Sequence, residues 1–450
     1  MSPPLLKPTP FTFTLPTASP SPSSTSPSPS PDLLRQKLAL TTFPDELSAP
    51  DQWPYGAPLA DVKELARFWR EEFDFKGFEE RVNEVGRGLG GGASAEGQWT
   101  ARVQVEGFGG PDGGLEVHFV HYRSEVPGAV PLIFVHGWPG SFLEVEKLLP
   151  LLAQGDGKSA PAFHVVAPSL PNFGFSEGVK KPGFGLEQYA EVCHNLMLGL
   201  GYDEYVTQGG DWGMFITRTM ALLYPTHVKA SHINMIRPLA PTFSKHPFLY
   251  LQHALTPYTA DDHAGLARAH WFASAGRGYY AEQSTKPQTI GYALADSPVA
   301  LLAWIYEKLH DWTDEYPWTP TEILTWVSLY YFSRAGPAAS VRIYYEANHV
   351  RSKNDPLKKN HVARTSEHVP HVKLGLARFP RELGVFPKSW SGTLGKVVWE
   401  SENERGGHFA ATERPEDLAR DLRGMFGKEG PCFRVVRGRS GYVEKGEAKL

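Results

Sequence analysis

Cysteine is nearly absent: Cys193 and Cys432 are the only two in 450 residues. That excludes a disulfide scaffold and any Cys-rich metal site, and makes a reducing compartment the expectation. An excess of one charge is also missing. Lys plus Arg total 45 against 49 Asp plus Glu, a net charge of −4, so no general attraction to nucleic acid or anionic membrane is expected. No run of ~20 apolar residues occurs, so no membrane-spanning helix is expected. The chain opens without the pattern of a signal peptide, and a soluble, cytoplasmic protein is the expectation. Aromatics are plentiful at 12%, which favours an apolar pocket inside a globular core.

The length admits one large domain with insertions or two to three smaller units. Residues 1–99 read as an N-terminal segment with too little apolar material to stand alone. Within it, Pro10–Pro16 alternates apolar and polar residues like a short strand. A Pro/Ser-rich insertion covers about 17–32, and amphipathic helices are expected over 33–85. Gly86–Gly97 carries six glycines and predicts a loop. From 100 to 239 short strands alternate with helices. The strand candidates are Arg102–Glu106, Leu115–Tyr122, Leu132–Val135, Phe163–Ala167, Tyr205–Thr207 and Val228–Asn234. Helices are expected at Phe142–Leu152, Leu186–Leu200 and Met214–Leu223. This alternation predicts an α/β fold, a mostly parallel sheet flanked by helices. Between 240 and 368 the pattern turns helical and aromatic. Strands resume at Val372–Leu376 and Lys396–Trp399 within a last part, 369–450. A helical insertion inside a resumed sheet reads as a lid over the carboxyl ends of the strands, where such sheets bind ligands. The tail from Pro431 has no assigned role.

Three short motifs fall where strands end. Gly209-Gly210-Asp211-Trp212-Gly213 joins a strand to a helix, the layout of a nucleophile elbow with Gly209 and Gly213 easing a tight turn. Its central residue is Asp211. A carboxylate is already ionised at neutral pH and attacks carbon without a base to deprotonate it. The bland alternative is an acidic helix cap. His136-Gly137-Trp138-Pro139-Gly140 follows a buried strand. Gly137 opens a turn there that can aim the Trp138 N–H, together with that of Trp212, at an oxyanion; the alternative is an ordinary turn. Gly406-Gly407-His408 follows the last strand, the place of a general base, since chain order in this fold is nucleophile, acid, His. On residue logic the acid is Glu382, Glu400 or Glu402, with Glu382 leading.

These motifs, together with the stretch 284–314 (STKPQTIGYALADSPVALLAWIYEKLHDWTD) and GGHFAA at 406–411, resemble the microsomal-type epoxide hydrolases of the α/β-hydrolase superfamily. The resemblance runs from about Leu33 to Leu422. It implies an α/β-hydrolase fold with a helical lid and an N-terminal epoxide-hydrolase segment. It also implies Glu382 as the acid that orients His408, and Tyr279 and Tyr344 as lid phenols. The neighbours Tyr280 and Tyr345 compete for those two roles, because the family usually has Lys or Arg where Tyr345 stands.

The implied chemistry is consistent with the residues. Two phenols protonate the departing epoxide oxygen, Asp211 attacks a ring carbon and carries a hydroxyalkyl ester, and neutral His408 activates water to release a vicinal diol. No metal or other cofactor is required. The implied partner is a small, apolar epoxide, whether a detoxification target, lipid-derived or biosynthetic, and a homodimer is left open. Two other readings fit the motifs. A haloalkane dehalogenase shares the Asp elbow and His base, and a ligand carrier could keep the fold with a disabled site.

Overall fold

A computed structural model describes residues 5–16, 30–87, 97–109, 113–353 and 355–443. Among these, nine strands form one sheet: β1 (Thr9–Pro10), β2 (Gln98–Val103), β3 (Leu115–Tyr122), β4 (Val130–Val135), β5 (Phe163–Pro168), β6 (Tyr205–Gly209), β7 (Val228–Ile233), β8 (Val369–Arg378) and β9 (Gly395–Glu402). Their order is β1-β2-β3-β5-β4-β6-β7-β8-β9. The three pairings from β1 to β5 are antiparallel, and the five that follow are parallel. Every residue of β4, β5 and β6 is buried, as expected where helices cover both faces of a parallel sheet and no strand face meets water.

Where the elements differ from the sequence pattern, pairing and proline explain it. The strand expected at Arg102–Glu106 lies instead at Gln98–Val103, because its partner β3 pairs residue for residue from Gln98↔Val120 to Val103↔Leu115. The helix expected at Phe142–Leu152 is split into a 3-10 turn, Phe142–Val145, and a short helix, Leu149–Ala153. Pro150 sits in the first turn of that helix, where a missing N–H is tolerated and the preceding helix cannot run through. Of Pro10–Pro16, only Thr9–Pro10 forms a ladder. Beyond Phe11 side chains replace the ladder: Asn83 Oδ1 accepts from Phe13 N–H at 2.7 Å and Glu79 Oε2 from Leu15 N–H at 2.6 Å. The Ser-Pro repeats and most of the glycine run lie outside the described residues.

The chain between β7 and β8 forms the lid. Its helices include Pro247–Leu255, Ala260–Trp271, Gly278–Thr285, Pro298–Asp311, Pro320–Tyr331 and Arg342–His349. The N-terminal helix Leu59–Glu71 and the 3-10 turn Trp53–Tyr55 before it reach this lid through specific contacts. The Trp69 indole donates to Ser328 Oγ at 3.0 Å, and the Trp53 ring stacks on His310 at 3.4 Å. The tail past Pro431 borders the entry of β4 and β5. Gly441 N–H donates to Gly128 O at 2.7 Å, Ala162 N–H to Gly441 O at 2.8 Å, and Tyr442 O–H to Ser159 O at 2.6 Å. Cys193 and Cys432 are buried free thiols. No helix among the described residues is long and apolar enough to cross a membrane.

Candidate active site

The carboxyl ends of β4, β6, β7 and β8 and the loop after β9 converge on one carboxylate. Asp211 follows β6 directly and opens the helix Asp211–Leu223. Its φ is +47°, a left-handed conformation that non-glycine residues seldom adopt and that strained functional turns retain. Close packing holds it there. A Cβ on Gly213 would lie 1.8 Å from Val135 O, and one on Gly137 would lie 2.3 Å from Asp211 Oδ1. Only glycine lets β4 and the elbow approach this closely. Gly209 meets the same crowding from the Gly213 carbonyl.

Trp138 N–H donates to Asp211 Oδ1 at 2.7 Å. Trp212 sits in the first helical turn, where backbone N–H groups lack intrahelical acceptors. Among the described residues, no hydrogen bond from its N–H to the resting carboxylate is seen.

His408 is buried, with its Nε2 3.3 Å from Asp211 Oδ2 and its Nδ1 2.6 Å from Glu382 Oε1. Leu383 N–H donates to that same Glu382 oxygen at 2.6 Å, fixing the carboxylate against the imidazole. The other two candidate acids lie elsewhere: Glu400 pairs with Arg378 at 2.7 Å and Glu402 with Lys388 at 2.7 Å. Burial disfavours the imidazolium, but the charges of Glu382 and Asp211 outweigh it and raise the His408 pKa to about 10. In the resting site the two flanking carboxylates thus favour the imidazolium.

Lining a cavity of about 320 Å³ together with Asp211 are two tyrosines on two lid helices, Tyr279 and Tyr344. Both are buried. Tyr279 stacks on Trp138 at 5.4 Å, Tyr344 meets Trp212 edge-on at 4.7 Å, and the two phenols lie 5.8 Å apart, ring centre to ring centre. Burial raises both phenols well above their usual pKa, with the nearby Asp211 charge adding to it, so both carry their proton throughout the physiological range. Of their neighbours, Tyr280 also lines this cavity, whereas Tyr345 does not. Tyr280 exchanges hydrogen bonds with the Asn348 side chain, and the half-exposed Tyr345 stacks on His349 at 4.1 Å. The rest of the cavity wall is mainly apolar, with Phe215, Met235, Phe272, Leu383 and Phe386, and two guanidiniums, Arg237 and Arg277.

Two residues near the centre received no role from the sequence. Trp312 O accepts from His408 N–H at 2.8 Å, and its ring packs against His408 and Tyr279. Its only signal was its place at the end of the 284–314 stretch. Glu144 is buried beside Asp211 and His408. In the sequence it is the third residue of a Ser141 capping box, which the structure also forms.

A strand–Asp–helix elbow, a backbone N–H on its carboxylate and an imidazole held by a buried glutamate define an α/β-hydrolase whose elbow carries an Asp. Comparison with known proteins gives the family. The profile described as "Epoxide hydrolase N terminus" matches residues 23–145, and that of the alpha/beta hydrolase fold matches 130–295. The chain is 36% identical over 417 residues to a Stigmatella aurantiaca protein assigned to the epoxide hydrolases, covering 90% of this chain and 82% of that one. It is 34% identical over 397 residues to epoxide hydrolase 1 of Sus scrofa, covering 83% and 81%. The solved structure of Aspergillus niger epoxide hydrolase superposes with a TM-score of 0.72 at 31% identity, over 92% of this chain and 95% of that one. The chain belongs to the epoxide hydrolase family.

Proposed function

We propose that this enzyme adds water to an apolar epoxide through a covalent ester on Asp211. The observation that carries this reading is that the Asp211 carboxylate and two buried phenols, Tyr279 and Tyr344, line one cavity. Asp211 attacks a ring carbon while Tyr279 and Tyr344 hydrogen-bond the epoxide oxygen, and one of them protonates it as the C–O bond breaks. The Trp138 N–H, with that of Trp212, steadies the ester oxygen when it becomes an oxyanion.

The charge state of His408 follows the same cycle. In the resting site two carboxylates hold its proton. Esterification removes the charge of Asp211 and lowers the proton affinity of the imidazole, whose proton then replaces the one the tyrosine gave up in ring opening. His408 therefore becomes a base at the step that needs one, accepting a proton from water while Glu382 keeps its ring oriented. The chain division that fits this chemistry is the one read from the pattern: 1–99 as N-terminal segment, 100–239 and 369–450 as core, and 240–368 as lid.

The test is one turnover of an aryl epoxide with enzyme in excess in oxygen-18 water. Unlabelled diol from the first turnover is expected, because the added oxygen comes from Asp211. Labelled diol would mean direct attack by water and would overturn the covalent route. Release of halide from a chloroalkane without epoxide turnover would favour the dehalogenase reading instead.

A further inference from the structure

Asp211 borders two cavities. The larger is the substrate cavity under the lid. The smaller is a chamber of about 10 Å³ whose lining includes Gly137, Glu144, Asn234, His408 and Phe409. The two linings share Asp211 alone. By this measure the chamber is about one water in size, and a water there needs polar partners. Three side chains supply them: the Asn234 amide, the Glu144 carboxyl and His408, whose Nε2 has no well-formed hydrogen bond. Glu144 is anchored for such a role. Ser141 N–H donates to its Oε1 at 3.2 Å, so the carboxyl cannot swing away. Burial pushes this carboxyl up to about 8, against the pull of the His408 charge, so near neutral pH it can both donate and accept a hydrogen bond.

We propose that this chamber seats the hydrolytic water and that Glu144 is its positioning residue. The inference rests on the covalent reading above. Water bound between Glu144 and His408 gives a proton to Nε2 as its oxygen bonds to Cγ of the Asp211 ester. The ester C–O bond then breaks, and its electron pair leaves on the diol oxygen, which takes the proton from His408. The acid proton left on Asp211 passes to His408 and restores its resting charge. Two separate cavities let substrate and water approach the same carboxyl group without competing for space.

The experiment is single-turnover kinetics with an aryl epoxide, following ester formation and ester hydrolysis separately, with intact-protein mass spectrometry to detect the ester. Glu144→Gln keeps the side-chain volume and an oxygen for the Ser141 N–H, and Gln also serves in a capping box. Ester formation within about twofold of wild type is expected, with hydrolysis slowed about 10- to 100-fold, the usual cost of a misplaced reactant, so the ester accumulates. Ala411→Val is an independent variant that narrows the chamber from another wall and is expected to slow the same step. A purely structural role would lower both rate constants together and would overturn the proposal, as would hydrolysis within about twofold of wild type in both variants. Diol formation in wild type and variants with no ester detected even in His408→Gln would fault the covalent reading itself, and this inference with it.

Discussion

The two walls of the substrate cavity are built by different means. The sheet wall is set by backbone. Asp211 is held at a left-handed φ, Val135 O stands where a Cβ of Gly213 would be, and a main-chain N–H grips the Asp211 carboxylate. The lid wall is set by side-chain packing. Tyr279 and Tyr344 come from separate helices and are aligned by ring contacts with Trp138, Trp212 and each other, with the Lys308 ammonium 5.1 Å over the Tyr279 ring. Farther out, the lid helix Pro247–Leu255 has no buried residue at all. Nucleophilic attack needs one atom on one line, and backbone geometry provides that rigidity. Protonation of a departing oxygen needs a donor within reach, and packed rings suffice. The sheet wall should therefore tolerate no added atom, whereas the lid wall should tolerate a swap of ring for ring.

The largest effect that would sharpen this comparison is expected from Asp211→Ala. No ester can form, and diol production should fall by on the order of 10⁴ or more, as for the removal of other catalytic nucleophiles. Steady-state rates and ester detection by mass would check it, and near wild-type turnover would break the comparison at its root. Next comes the pair Tyr279→Phe with Tyr344→Phe. Removing both acids should cost roughly 10²–10⁴ in ester formation, and either single change less, since the remaining phenol still reaches the oxygen. Thermal melting should barely move, because the rings remain. Equal losses from both singles and the double would show that the two act as one unit.

Gly213→Ala probes the sheet wall without touching a reacting group. Its Cβ would collide with Val135 O, and overpacking costs typically ~1–3 kcal/mol, so a lower melting temperature together with lost activity is expected. Retained activity and stability would mean that the backbone is not what holds the nucleophile.

Glu382→Gln separates orientation from charge. A neutral amide removes one of the two carboxylates that raise the His408 pKa, so the imidazole loses its proton at lower pH. The rise of ester hydrolysis with pH should therefore begin at lower pH than in wild type, while the limiting rate falls through poorer alignment. A pH series of single turnovers would show it, and an unmoved profile would remove Glu382 from the control of that proton. The smallest effect belongs to Phe248→Ser, on the exposed lid helix. Phe248 is 86% exposed, and surface changes away from packed features usually stay within ~0.5 kcal/mol. Unchanged kcat/KM and melting are expected, and a clear loss would show that the outer lid is coupled to the cavity.

The parts of the site that are legible in the sequence are those fixed by neighbours along the chain. The elbow is five consecutive residues, and the turn from His136 to Gly140 follows its strand directly. His408 is marked by flanking glycines and by chain order. Glu382 has two rivals in the sequence, Glu400 and Glu402; the pairing of Arg378 with Glu400 and of Lys388 with Glu402 separates them only in space. The tyrosines show the limit clearly. Tyr279 and Tyr280 are adjacent on one helix and so point about 100° apart, and no local signal says which direction is inward. Glu144 was hidden because its local role, closing a capping box with Ser141, is complete in itself.

By itself, then, the sequence determined the order of strands and helices, the carboxylate at the elbow and the glycines that let it form, because local sterics and hydrophobic period act over a few residues. Only the tertiary structure decided that Tyr279 and Tyr344 line one cavity with Asp211, that two carboxylates flank the His408 imidazole, and that a chamber one water wide lies beside Glu144. Those properties arise from burial and from groups brought together by segments distant along the chain, Asp211 and His408 among them, and a low-dielectric interior strengthens such charges far beyond their effect in water.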